Sequence, residues 1–320
     1  MPSIAAVTLS LRLVASSLGE PSAPPTAAEA TPEQEPAPKW RFRQANKPVK
    51  VVVLAGSVGA FQGQSYAKWM DKRCEQAEIR NLSRTGFGAY QLRKVFKNQV
   101  VENPRVNLRD DRYSYWLVFQ GGLNSIADAH RTNHHIRALF VAAHAKGMQV
   151  VGLSPTPWGS ESDRRRWAGL AGLEYRRQTR LVVDYLTGRV SPTAALGSYA
   201  QRRRGVEPAA GWQPKELADV GVDLYDSKLR DRGADLRSVD DMRSLVDRDR
   251  RWNRRHRDLS DEERAAARER DAQAAAELPR WYMRSELRGF DHIHPNADGH
   301  REMFSVMCPQ LPPSWGCRCE

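Results

Sequence analysis

Four short segments of this chain carry residue types that could act together on a carbonyl group. The first is Leu54-Ala-Gly-Ser57-Val-Gly59, in which a hydroxyl stands among small residues that let the backbone turn sharply. The second is Asn81-Leu-Ser-Arg-Thr-Gly86-Phe-Gly88, where a glycine can offer its N–H with no side chain in the way. The third is Gln120-Gly-Gly122-Leu-Asn124, whose Asn amide can donate to a developing oxyanion. The fourth is Phe290-Asp291-His-Ile-His294-Pro-Asn296-Ala-Asp-Gly-His300. Asp291 and His294 lie three apart there. A carboxylate so placed can accept from one ring nitrogen and leave the other free as a base.

Each segment has a plainer reading when taken alone. Gly-Ser after a strand is often only a turn or part of a phosphate-binding loop, although neither a Walker loop nor GxGxxG is present. Gly86 or Gly88 could serve a simple turn. Asn124 could cap a helix starting near Ile126. Asp291, His292, His294 and His300 are all metal-ligand types, but His292 would point away from His294 in an extended segment, so the metal reading is the weaker one.

The elements that must position these residues follow a regular rhythm. Lys50–Ala55 (KVVVLA), Ala77–Ser83, Ser114–Gln120 (SYWLVFQ), Met148–Ser154 and Val220–Tyr225 are short apolar runs and read as five strands. Between them, Phe61–Gln76, Ala89–Val101, Ile126–Lys146 and Glu161–Thr187 read as helices. Ile126, Ala129, Ile136, Leu139, Phe140 and Ala143 would share one face of the third. Alternating strands and helices predict an α/β fold: a three-layer α/β/α, doubly wound, mostly parallel five-stranded sheet. In such sheets ligands sit at the carboxyl ends of the strands, where the first three segments fall. Residues 226–290 break the rhythm as a charged helical insertion before the last motif. Ser260 and Glu263 form a capping box that predicts a helix over Asp261–Glu277. The insertion could cover the site as a lid or form a separate helical layer.

Taken together, the four segments resemble the GDSL/SGNH hydrolase superfamily. Its blocks contribute Ser, Gly, Asn and His in that order, matched here by Ser57, Gly86, Asn124 and His294, with Asp291 at the D-x-x-H position. The resemblance runs from about residue 48 to 308 and is most specific in DHIHPNADGH. It implies the flavodoxin-like SGNH fold and hydrolysis of a carboxylic ester through an acyl-enzyme. Ser57 would be the nucleophile, His294 the base and Asp291 its orienting partner. Ser57, Gly86 and Asn124 would form the oxyanion hole, and no cofactor or metal is required. Two positions depart from the pattern: Gly-Asp-Ser reads Ala55-Gly56-Ser57, and Gly-x-Asn-Asp reads Gly122-Leu-Asn-Ser125. Neither lost Asp is the nucleophile or the base.

The bulk properties bound the rest. In 320 residues, 40% are hydrophobic, enough for a real core, and the formal charge is +12. The expected partner is a small-molecule, carbohydrate or lipid ester. The same residues could serve an O-acyltransferase or a polysaccharide deacetylase, and a non-catalytic binding protein is a further alternative. Nucleic-acid binding through Arg248–Arg257 (RDRRWNRRHR) is a rival reading, but acidic residues interleave most basic stretches and favour a solvated surface. His130, His134 and His135 could ligate a metal, though a helix surface is the simpler reading. Trp158 and Trp167 could line a pocket or pack in the core. No run of 18 apolar residues is present, so no transmembrane span is expected. Residues 1–39 read as a disordered segment, with a signal-like stretch from Ile4 to Leu18 and a Pro/Ala/Glu-rich linker, ahead of a hydrolase-like domain over 40–320. Four cysteines, three of them within the 308–320 tail, allow two disulfides by three pairings. Cys317 cannot readily bridge Cys319, so one of them reaches Cys308 or Cys74. Disulfides would suit an extracytoplasmic location, against a cytoplasmic alternative with free thiols.

Overall fold

A computed structural model describes residues 40–159, 169–197, 210–234, 237–279 and 281–319. The expectations for residues 1–39, for the start of the helix placed at Glu161, and for Trp167 lie outside the described residues.

The KVVVLA run has no polar face to show to water, so it must be covered on both sides. It forms an inner strand of the sheet as β1 (Val49–Ala55), every residue of which is buried. β2 (Ala77–Asn81), β3 (Ser114–Gln120), β4 (Gln149–Leu153) and the three-residue β5 (Val220–Val222) complete it. The order is β2-β1-β3-β4-β5 and every pairing is parallel. Val53 stands opposite Val118, and Gln120 opposite Leu153. The strands therefore end along one edge.

Period-two alternation sends successive side chains to opposite faces. Val52, Leu54, Leu117, Phe119 and Val150 pack under α2 (Ala89–Phe96), α3 (Ala129–His144) and α4 (Gly169–Leu186). Val51, Val53, Trp116, Val118 and Val151 pack under α1 (Tyr66–Arg73) and the last helix, α8 (Ala297–Met307). Helices on both faces make the expected three-layer, doubly wound α/β/α architecture. The sheet is wholly parallel where the sequence promised mostly parallel.

Several boundaries differ from the sequence reading, and caps explain them. α1 starts at Tyr66 rather than Phe61 because Ser65 Oγ accepts the Lys68 N–H. α3 starts at Ala129 because Asp128 caps it by accepting the Arg131 N–H. Asn124 is thus not its cap. α2 ends at Phe96 and widens into a π-turn over Lys97–Val101.

The insertion contributes α5 (Val239–Arg248), α6 (Arg250–Arg255) and α7 (Asp261–Ala276). α7 begins at the expected capping box, with Ser260 Oγ accepting the Glu263 N–H. Met242, Val246, Trp252, Ala272 and Ala275 form a small core of their own against Leu173 of α4. The insertion is thus a helical layer on α4.

Among the described residues, no helix is long and apolar enough to cross a membrane. Two disulfides close the tail, Cys74–Cys317 and Cys308–Cys319.

Candidate active site

β1 delivers Ser57 to the carboxyl edge of the sheet after one residue, Gly56. The loop is fixed from its neighbours rather than from within. Gly56 N–H donates to Gln120 O at 3.3 Å, and Arg84 N–H to Ala55 O at 2.9 Å. Ser83 Oγ accepts the Ala55 N–H at 2.9 Å, and Asn81 Nδ2 donates to Gly59 O at 2.8 Å. Position 56 has little room for a side chain. A Cβ there would stand 3.2 Å from Asn124 Nδ2 and 3.3 Å from Phe87 O. The loss of Asp from the Gly-Asp-Ser pattern therefore goes with a close approach of the Asn124 amide.

The fourth segment is a tight turn leading into α8. Asp291 Oδ1 accepts the backbone N–H groups of Ile293 and His294, each at 3.0 Å. Its Oδ2 pairs with His294 Nδ1. On the other side of the ring, His294 Nε2 lies 2.6 Å from Ser57 Oγ. Residues 237 apart in sequence thus form a continuous carboxylate–imidazole–hydroxyl chain. Burial works against the charge on Asp291, but hydrogen bonds from His294 and Ile293 outweigh it and hold the carboxyl below its ordinary range. An ionised Asp291 fixes Nδ1 as the protonated nitrogen and leaves Nε2 to accept from the serine.

The turn itself is held from three sides. Asn296 Oδ1 caps α8 through the Gly299 N–H at 2.9 Å, and Asn296 Nδ2 donates to Glu286 O at 2.8 Å. Gly289 N–H donates to His294 O at 2.7 Å. The strap that follows β4 joins it, with Gly159 N–H donating to His292 O at 2.6 Å and Arg288 Nη1 to Gly159 O at 3.1 Å. A Cβ at Gly299 would collide with Leu287 O at 2.1 Å, so the glycine of this motif is required by packing.

Three donors are candidates for an oxyanion. Asn124 Nδ2 lies by the site, donating only a long 3.3 Å bond to Phe87 O. The N–H groups of Ser57 and Gly86 make no hydrogen bond to another described residue. Gly86 has φ +77°. The cavity at Ser57 is lined by its neighbour Phe87 rather than by Gly86 itself. Gly88, the other candidate glycine, has its N–H engaged by Gln91 Oε1 at 3.1 Å. Ser125, where the pattern has Asp, accepts the Ala89 N–H at 3.2 Å and so ties the third segment to the start of α2.

Other sequence candidates are not brought to the site. His300 is fully buried, stacked on Phe61 at 4.7 Å, and accepts the Tyr66 N–H at 3.4 Å. Asp291, His292, His294 and His300 do not converge as ligands; no metal-like group of three or more such side chains occurs among the described residues. His130 faces Ala195 O at 3.2 Å and His135 packs by Tyr90. Trp158 belongs to the core, donating to Thr179 Oγ1 at 3.2 Å under the Arg176 guanidinium. In the basic run, Trp252 is buried and donates to Asp271 Oδ2 at 2.8 Å, so it has no free face to stack on a base. The cavity lining, as described, contains no residue of 226–290.

No protein-family profile matches the sequence, and no curated protein matches it. Among solved structures the chain is similar to a GDSL-like lipase from Bacteroides thetaiotaomicron, with 13% identity and a TM-score of 0.42 over 81% of this chain and 86% of that one. It is similar to a member of the lipolytic protein G-D-S-L family from Veillonella parvula at 12% identity and TM-score 0.42, over 82% and 97% of the two chains. An acetyl xylan esterase matches at 12% identity and TM-score 0.42, over 82% and 100%.

Proposed function

We propose that this chain is a serine-dependent carboxylic ester hydrolase of the SGNH type. The observation that carries the reading is the 2.6 Å contact between Ser57 Oγ and His294 Nε2, with Asp291 on the far side of the ring. His294 takes the hydroxyl proton as Ser57 Oγ attacks the ester carbonyl. Asp291 holds the ring tautomer and stabilises the imidazolium. The N–H groups of Ser57 and Gly86 and the Asn124 amide stabilise the oxyanion; the loss of one such donor costs roughly 3–4 kcal/mol of barrier. The alcohol leaves with the proton from His294. Water, activated by the same base, then releases the acyl group. The two disulfides support an oxidising, extracytoplasmic compartment.

Ser57→Ala removes the nucleophile from a loop whose fixing bonds are all made by other residues. Turnover of a short-chain aryl ester should fall to background while the circular dichroism spectrum is retained. A phosphonate probe should label Ser57 in the native chain. Full activity in Ser57→Ala, or labelling at another residue, would remove Ser57 from the mechanism. If an acylated sugar rather than free acid accumulates when a sugar is supplied, the same residues act as an acyltransferase.

A further inference from the structure

The cavity beside Ser57 has a volume of about 100 Å³, below the roughly 300–1,000 Å³ of sites that take a whole ligand. Only a small group fits there, and the rest of an ester must lie outside it. A second cavity, of about 540 Å³, lies between α4 and the helices of the insertion. It sits at the same edge of the sheet as Ser57. β4 ends at that edge and α4 is the crossover that follows it, so α4 starts there. The cavity is lined by the first half of α4, from Leu170 to Arg177. Ala127, three residues beyond Asn124, lines it as well. Leu123 of the Ser57 cavity and Tyr175 of the larger one pack on the same cluster of Trp158, Val183 and Tyr225. The two cavities are thus neighbours along one edge, parted by the loop that carries Asn124.

The lining of the larger cavity is mixed. Arg177, Arg251 and Arg255 share it with Glu174, Asp249 and Asp271, so the charges balance. An anion drawn to the guanidinium groups would meet the carboxylates as well. Arg251 and Arg255 are exposed and stand one turn apart on α6, and no side-chain hydrogen bond or ion pair joins either to another described residue. Each presents several N–H donors. The carboxylates are fixed by bonds to their own elements. Asp249 Oδ1 accepts the N–H groups of Arg251 and Trp252 at 2.8 and 2.9 Å, and Asp271 Oδ2 accepts from Trp252 Nε1 at 2.8 Å. A carboxylate has about four acceptor sites, so both keep some to offer. Leu173, Ala274 and the half-buried ring of Tyr175 supply apolar surface among these polar groups. An alkyl chain placed there would desolvate charged groups and give them nothing in return. A hydroxyl both donates and accepts. Donors and acceptors set around apolar surface therefore match a molecule with hydroxyls on its rim and C–H groups on its face, which is a sugar ring.

Resting on the esterase reading, we propose that the cavity between α4 and the insertion binds the alcohol half of the substrate, that this alcohol is a sugar, and that Arg251 and Arg255 hold its hydroxyls. The acyl group enters the small cavity at Ser57, and the sugar crosses the Asn124 loop into the larger one. The insertion is then the wall of a sugar subsite.

Acetates of different alcohols test this: monoacetylated disaccharides of glucose, xylose and N-acetylglucosamine, decyl acetate and ethyl acetate. kcat/KM for at least one sugar ester should exceed that for ethyl acetate and for decyl acetate about tenfold or more, because a site built to bond hydroxyls discriminates against their absence. In an Arg251→Ala, Arg255→Ala double variant the ratio of that sugar ester to ethyl acetate should fall about tenfold, chiefly through KM, as expected when binding remote from the reacting atoms is lost. Alanine keeps α6 helical, so the circular dichroism spectrum should not change. Binding is also read without turnover. Ser57→Ala should bind the same sugar ester in calorimetry, and adding the two arginine substitutions should weaken that binding about tenfold. A sugar preference that survives in the double variant, or no sugar ester preferred to ethyl or decyl acetate, overturns the sugar subsite alone if Ser57 is still labelled by the phosphonate. No hydrolysis of any member together with no labelling at Ser57 overturns the esterase reading, and the subsite with it.

Discussion

Among single residues, His300 shows how the final motif mixes chemistry with structure. Burial, with the nearby His294 adding to it, lowers its pKa from 6.5 to about 4. The folded protein therefore holds His300 neutral where the unfolded chain would bind a proton. Stability is full above about pH 6.5 and declines as pH falls from there toward 4, by roughly 3 kcal/mol if the whole shift is expressed. Melting temperatures measured from pH 7 to pH 4.5 should fall, and His300→Asn should flatten that slope while keeping an acceptor for the Tyr66 N–H. An equal slope in the variant would place the pH dependence elsewhere. Legibility at this scale depended on whether a residue announces itself by type. Ser57, Asn124, Asp291 and His294 do so through spacing and strand-end position. His300 has the type of a ligand but sits in an aromatic niche formed by Phe61 and Tyr66, over 230 residues away.

The five strands were legible as elements because parallel strands buried on both faces read as unbroken apolar runs. Helix starts were less so. Apolar periodicity extended α1 back to Phe61 and α3 back to Ile126, whereas Ser65 and Asp128 set the true starts by bonding N–H groups inside the helix. At the start of α2 the missing contact comes from outside the helix. Gly88 has no side chain to cap with, and Ser125 from the third segment accepts the Ala89 N–H instead, while donating to Gly122 O at 3.2 Å. This one hydroxyl thus holds two motif loops in register. Ser125→Ala should cost about 1 kcal/mol, the usual scale of a lost cap. It should also lower kcat more than it raises KM, because the adjacent residue is Asn124, whose amide the proposed mechanism places on the oxyanion of the transition state. Ser125→Asp, which restores an acceptor, should recover both. Unchanged melting and kcat in Ser125→Ala would show that α2 and Asn124 are held without it.

For the whole molecule, the tail and the candidate site lie at opposite edges of the sheet, so the disulfides stand apart from the residues of the proposed mechanism. Ser57 follows the end of β1. Cys74 precedes the start of β2, and in a parallel pair that is the far edge. The tail is fastened there by more than its disulfides. Trp315 is fully buried against Trp116 at 5.5 Å, Gln76 N–H donates to Trp315 O at 3.0 Å, and Arg318 N–H to Arg73 O at 2.9 Å. Joining Cys74 to Cys317 closes a loop of 243 residues of separation, so the bridge restrains nearly the whole folded unit in its unfolded state. The sequence limited the partners of Cys317 and Cys319 to Cys74 and Cys308. The choice between them rests on packing of Trp315, which the spacing of cysteines does not encode. A Cys74→Ser, Cys317→Ser double variant should lose about 2–4 kcal/mol, a drop in melting temperature on the order of 5–10 °C. Its kcat/KM at 25 °C should stay within about twofold of the parent, since none of the bonds that fix Ser57, Asn124 or His294 involves the tail. Loss of activity well below the new melting temperature would mean that strain at the tail reaches the strand ends through β1 and β2.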